Sequence, residues 1–159
     1  MLAGKIMAIC MSGTRGVKKS RVTDGILIAG HGLSGDAHAG PGRRQVSLLA
    51  FEDVVAINAQ RGIGAGYGDF AENIITVGID LEMIPVGARI HIGGAIIRIT
   101  ERGKPEHKPT DYNFKGIALL AQKGLFAEVV ESGAIHDGDS IFMPEKQPNG
   151  RATDADIRV

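Results

Sequence analysis

The sequence predicts a mainly β protein: a closed or nearly closed β-barrel that carries one or two short helices. Three observations lead there. Glycine supplies 23 of the 159 residues, about twice ordinary usage, so the backbone turns sharply and often. The apolar residues come in short alternating runs rather than at helical spacing. Only one segment carries both the periodicity and the end signals of a helix, and many short strands joined by glycine-rich turns favour a barrel over a parallel α/β sheet.

In chain order, Lys5 to Met11 sets Ile6, Ala8 and Cys10 against Met7, Ile9 and Met11, a strand apolar on both faces. Val46 to Leu49 is a second candidate strand. The helix runs from about Phe51 to Arg61 with Phe51, Val54, Val55 and Ile57 as its apolar stripe. Glu52 and Asp53 lie in its first turn, Arg61 in its last, and Gly62 follows as a stop. Arg89 to Ile92 and Ala95 to Thr100 flank Gly93-Gly94 and read as a hairpin. A weaker helix covers Ile117 to Gln122. Leu125, Ala127 and Val129 share one face of a further strand, with Glu128 and Glu131 on the other. Ile141-Phe142-Met143 forms the last strand, closed by Pro144. The expected organisation is one domain over residues 1–144 and a polar tail over 145–159.

Composition removes several functions. Eighteen basic and 18 acidic side chains leave no net charge, so the electrostatic footprint of a nucleic-acid binder is missing. The same neutrality gives no attraction to an anionic membrane surface. The single cysteine, Cys10, excludes an intramolecular disulfide framework and a thiolate zinc cluster. In an apolar strand it reads as a small core hydrophobe rather than a nucleophile. The apolar run from Ile6 to Met11 is too short for a secretory signal or a membrane span, which makes the cytosol the expected location.

Three polar segments can carry chemistry. The first is Gly30 to Gly40, running on through Arg43, Arg44, Gln45 and Ser47. Its glycines let backbone amides approach a ligand, and amides with arginine suit a phosphate or another oxyanion. Asp36 and His38, two apart, face the same side of an extended segment. The segment reads equally as a glycine-rich turn whose Asp caps amides. The second, Gly66 to Ile74, brackets Phe70 with Asp69, Glu72 and Asn73, groups able to bind a hard cation, exchange protons or satisfy their own loop. The third, Gly103 to Pro109, presents Lys104, Glu106, His107 and Lys108 at a strand end, a binding position or a solvated turn. Lys18-Lys19-Ser20-Arg21 adds a local basic cluster able to hold a phosphate.

In this order the segments resemble the MOSC domain, named after the C-terminal domain of molybdenum-cofactor sulfurase, and most of all its small stand-alone bacterial members. The matching residues are Lys18-Lys19, Gly32 to Gly40, Arg44 to Leu49, Gly68 to Ile74, Leu81 to Gly87, Gly103-Lys104-Pro105, Gly124 to Val129 and Gly138-Asp139. The series spans roughly residues 5 to 143. The resemblance implies a barrel-like fold with a pocket for a molybdenum–pterin cofactor (molybdopterin) or a related sulfur- or metal-bearing ligand. On this basis the cofactor-binding residues are Lys19, Gly35, Asp36, His38, Arg44, Gln45, Ser47, Asp69, Phe70, Glu72 and Asn73. Arg44 or Lys19 would meet the phosphate, Asp36 and His38 would shape the pocket, and Asp69, Glu72 and Asn73 would bond the ring.

Many small members carry Cys-His after the Gly-Lys turn, where this chain has Glu106-His107. A carboxylate is a hard oxygen donor that forms neither a persulfide nor a soft metal–sulfur bond. Glu106 and His107 therefore stand at the implied metal end, and cysteine-dependent chemistry is not expected there. The resemblance implies binding or handling of molybdenum cofactor during its biosynthesis or delivery. The alternatives are reduction of N-hydroxylated substrates, or a non-catalytic domain acting through contacts with other molybdenum-cofactor proteins. The expected partners are a small-molecule cofactor or substrate and such proteins, not nucleic acid or membrane.

Overall fold

The computed structural model describes residues 2–104, 108 and 111–144. Glu106, His107 and residues 145–159, where a polar tail is expected, lie outside the described residues. The chain opens with β1 (Leu2–Met11), β2 (Ser20–Val22), β3 (Asp24–Ile28), β4 (Gly32–Leu33), β5 (Val46–Ala50), helix α1 (Phe51–Arg61) and β6 (Ile74–Val77). It continues with β7 (Arg89–Ile92), β8 (Ala95–Arg102), helix α2 (Leu119–Lys123), β9 (Leu125–Glu131), β10 (Gly133–His136) and β11 (Ser140–Met143).

Among the described residues, seven strands close a barrel in the order β11, β7, β8, β9, β5, β6, β1, and β1 returns to β11. Closure rests on the length of β1. Leu2 to Lys5 pair with β11, Lys5 to Ile9 with β6, and Ile9 to Met11 with β2. One ten-residue strand thus bridges three partners. β3, β4 and β10 form a smaller second sheet.

The barrel pairings are antiparallel except β5 with β6, which run parallel. Parallel neighbours need a crossover, and α1 with the loop at 62–73 supplies it. The helix starts and stops where its charges and Gly62 place it, with the Gly62 N–H donating to the Asn58 carbonyl. Of its expected apolar stripe only Val54 is fully buried, and Val55 is exposed, because the helix covers one flank of the barrel rather than entering a core. The second helix is shorter than expected and begins at Leu119, since Ile117 pairs instead with Phe114 in an isolated bridge.

Alternation sorts side chains between two cores. Val46, Leu48 and Ala50 of β5, Ile97 and Ile99 of β8, and Leu125, Ala127 and Val129 of β9 point into the barrel with Ile6, Ile9, Ile74, Ile90 and Ile92. Leu49 points outward and joins Val54, Ala65, Phe70, Ile117 and Leu119 in a second cluster. That cluster anchors a roof over the outer wall formed by β8, β9 and β5.

One glycine holds the roof loop to the barrel. Gly68 has φ +84°, and a Cβ there would lie 2.0 Å from the Lys19 carbonyl oxygen. Replacing Gly68 with Ala is expected to destabilise the fold by at least about 2 kcal/mol, from left-handed strain and backbone overlap together. Urea unfolding checks this: a midpoint equal to wild type would mean the loop does not need this approach.

Candidate functional site

A cavity of about 600 Å³ opens between the outer barrel wall and its roof, within the range of small-molecule sites. Its floor follows from register. Ser47 of β5 and Glu101 of β8 both pair with Phe126 of β9, so the three lie in one row across the wall. Glu101 reaches this row through a bulge, since Ile99 pairs with Ala127 and Glu101 with Phe126, leaving Thr100 as the extra residue. Strict alternation would have turned Glu101 toward the barrel interior.

The loop at 66–73 brings Phe70, Ala71 and Asn73 to the cavity. Asn73 is buried and stitches three segments. Its Oδ1 accepts from the Ser47 backbone N–H (3.1 Å) and hydroxyl (3.3 Å), its own N–H donates to Ser47 Oγ (3.0 Å), and its Nδ2 donates to the Cys10 carbonyl (3.1 Å). Glu72 is fully buried behind the wall and accepts from the N–H groups of Gly68 (2.7 Å) and Phe70 (3.1 Å). Burial pushes its carboxyl up to about 7 against those hydrogen bonds. Asp69 Oδ2 accepts from the Gly66 N–H at 2.8 Å, and its carbonyl receives the Tyr112 hydroxyl.

The opposite wall comes from the glycine-rich segment. Lys19 and Asp36 form a buried ion pair at 2.8 Å, with side chains 1% and 0% exposed. Asp36 Oδ1 also accepts from the Ser12 N–H, and Oδ2 from the His38 N–H, each at 3.1 Å. Burial alone would raise this carboxyl, but the Lys19 ammonium and the two N–H donors outweigh it and hold it below its ordinary value. Lys19 Nζ also lies 3.1 Å from His38 Nδ1. Burial first, and then the Lys19 charge, lower the His38 pKa; Arg15 and Lys104 act in the same direction and Asp36 opposes them.

Four cations line the cavity, and they are not equivalent. Arg44 donates to Glu101 Oε2 from Nη2 (2.8 Å) and Nε (3.2 Å), and its guanidinium lies 5.3 Å from the Phe126 ring centroid. Arg43 lies 3.5 Å from the same carboxylate and donates to the Thr100 carbonyl. Arg15 donates from Nε to the Ala37 carbonyl at 3.2 Å. Among the described residues, no carboxylate lies within ion-pair distance of Arg15 or Lys104. Among the described residues, the Arg15–His38–Lys104 end therefore holds the cations that form no ion pair, Asp111 is a further carboxylate in the lining, and Phe70, Leu120 and Phe126 supply apolar surface.

Of the residues expected from sequence, His38, Arg44, Ser47, Phe70 and Asn73 line the cavity. Lys19 and Asp36 stand directly behind His38. Gly35 packs near the Met11 methyl and turns the chain into Asp36. Gln45 braces the wall, donating to the Gly42 carbonyl and accepting from the Val129 N–H. Asp69 and Glu72 hold the loop that presents Phe70. Glu106 and His107 lie outside the described residues. Arg43 and Lys104, named within the polar segments, also line the cavity, whereas sequence reasoning did not single out Arg15, Glu101, Asp111, Tyr112 or Phe126. The bulge that delivers Glu101 leaves no mark in the sequence.

A family model described as the MOSC domain matches residues 34–142. No curated protein sequence matches the chain. The fold is similar to the crystal structure of YuaD from Bacillus subtilis, with a TM-score of 0.68 at 18% identity, covering 88% of this chain and 94% of that one. It is also similar to YiiM from Escherichia coli, with a TM-score of 0.64 at 18% identity, covering 90% of this chain and 71% of the other. YiiM from Geobacillus stearothermophilus gives a TM-score of 0.65 at 15% identity, with 94% and 79% covered.

Two outcomes follow from the buried groups. Glu72 holds its proton in the folded state up to about pH 7 but only to about 4.5 when unfolded. Its contribution to stability is thus complete below about 4.5 and lost as pH rises through about 7. Relative to Glu72→Gln, the wild type should lose about 3 kcal/mol over that interval, read from urea unfolding at a series of pH values; parallel profiles would refute the assignment. The Cys10 thiol is buried, and burial, then Glu72, pushes it up to about 12. A thiol reagent at pH 8 should label it only after denaturation.

Proposed function

Since the chain belongs to the MOSC domain family, we propose that its cavity binds the molybdenum cofactor, a phosphorylated pterin, or a closely related anionic ring ligand, and that the protein handles this ligand in cofactor biosynthesis or delivery. The observation that carries this reading is the charge pattern of the cavity. Arg15 and Lys104 flank His38 at one end without a carboxylate partner among the described residues, and aromatic and aliphatic surface lies alongside. A phosphate group suits the first feature and a planar ring the second.

The donor set fits the organic part of the cofactor. Arg15 and Lys104 hold the phosphate, Phe70 and Phe126 flank the ring, and Glu101 keeps Arg44 and Arg43 oriented along the floor. Ser47 and Asn73, bonded to each other, keep that floor rigid. When bound, the cofactor supplies a redox-active molybdenum centre. None of the described residues lining the cavity is a thiol, and Cys10 is buried in β1. The supported role is therefore binding and presentation rather than cysteine-borne sulfur transfer.

Reconstitution with molybdopterin tests this. Pterin fluorescence should remain with the protein through gel filtration. Arg15→Ala and Lys104→Ala should each weaken binding about tenfold or more, as expected for losing a charge-assisted hydrogen bond. Neither retained pterin fluorescence nor molybdenum by elemental analysis would sink the proposal.

A further inference from the structure

We infer that Lys19 is a positioning residue: it locks His38 as a neutral imidazole whose proton sits on Nε2, making His38 a fixed hydrogen-bond donor to an acceptor atom of the ligand. A lysine ammonium carries three donors and no acceptor. Its Nζ lies 2.8 Å from Asp36 Oδ1 and 3.1 Å from His38 Nδ1. For the second contact to be a hydrogen bond, Nδ1 must be unprotonated and accept. The ring proton is then on Nε2, across the ring from the buried lysine, on a side chain that is 42% exposed and lines the cavity.

The groups around the ring reinforce this state. The loop after β1 contributes Arg15, the segment before β2 contributes Lys19, and the end of β8 contributes Lys104; all three disfavour an imidazolium. Asp36 favours one, yet its Oδ2 is 3.9 Å from Nδ1 and accepts instead from the His38 backbone N–H. Because Nδ1 is occupied by a donor, His38 offers the cavity an N–H rather than a lone pair. This end of the cavity therefore selects ligands that present an oxyanion or carbonyl there, and rejects those that present a donor.

The inference rests on the anionic-ligand reading for its purpose, but not for its first test. Long-range proton–nitrogen NMR spectra of the ligand-free protein, with His38 assigned by its loss in His38→Gln, should show the Nε2–H tautomer at pH 7. In Lys19→Met the ring should become a mixture of tautomers and titrate at higher pH. An Nδ1–H tautomer or an imidazolium in the wild type would overturn the inference, as would an unchanged tautomer in Lys19→Met. If that variant does not fold, His38 substitutions decide, with inorganic phosphate as the probe. Gln can accept from Lys19 and donate to the ligand, so His38→Gln should bind phosphate within about threefold of wild type, and His38→Leu about tenfold or more weakly. Equal losses in both would overturn the inference. If the wild type shows the Nε2–H tautomer but phosphate shifts no cavity resonance, the ligand reading fails and the tautomer assignment stands.

Discussion

Two opposite charges, the Lys19 ammonium and the Asp36 carboxylate, are buried 2.8 Å apart between the loops flanking the cavity, and neither can be removed without stranding the other. A buried charge left without its partner costs about 3–5 kcal/mol, so the loops at 12–19 and 33–40 are held in one relative arrangement. The same lysine meets a third segment through its backbone, where its N–H donates to the Gly68 carbonyl at 2.9 Å. One residue therefore ties together the glycine-rich wall, the basic segment and the roof loop. His38, Phe70 and the orientation of Arg15 toward Ala37 all depend on that junction.

The cavity lies outside the barrel because the inside is full. A seven-stranded barrel is narrow enough for side chains to occupy its interior, and isoleucine, leucine and valine do so here. A cavity is then available only against the outer wall, and only if something roofs it. The parallel pairing of β5 with β6 provides the means. It requires a crossover, and the long return at 62–73 carries Phe70 and Asn73 over the outward row of Ser47, Phe126 and Glu101. The second hydrophobic cluster fixes that return in place. Fold topology and cavity thus have a common cause.

Strands with several alternating apolar positions were legible in the sequence: β1, β5, β7, β8, β9 and β11, with α1 bounded by its own end signals. β2, β3, β4, β6 and β10 were not. β2 and β4, three and two residues long, cannot display a period. β6 is buried without alternation over Ile74 to Thr76, and β3 and β10 are short runs that each include a glycine. The lining of the cavity was half legible. His38, Arg44, Ser47, Phe70 and Asn73 sit in polar segments that stand out against apolar strands. Their division of labour did not show. Glu72 and Asp36 look alike as isolated carboxylates, yet burial pushes one up to about 7, and a buried ammonium holds the other low.

The sequence by itself determined the fold class, the position of the principal helix, three of the polar segments that reach the cavity and the absence of a cysteine among them. These follow from local period, turn chemistry and composition, which need no partner strand to be read. Only the tertiary structure decided which of the described cations pair with a carboxylate and which do not. Arg43 and Arg44 meet Glu101, 57 residues beyond Arg44 in the chain, through a bulge and a shared pairing with β9, while Arg15 and Lys104 form no ion pair among the described residues. Electrostatic environment depends on distance in space and on burial, and neither is written at a single position.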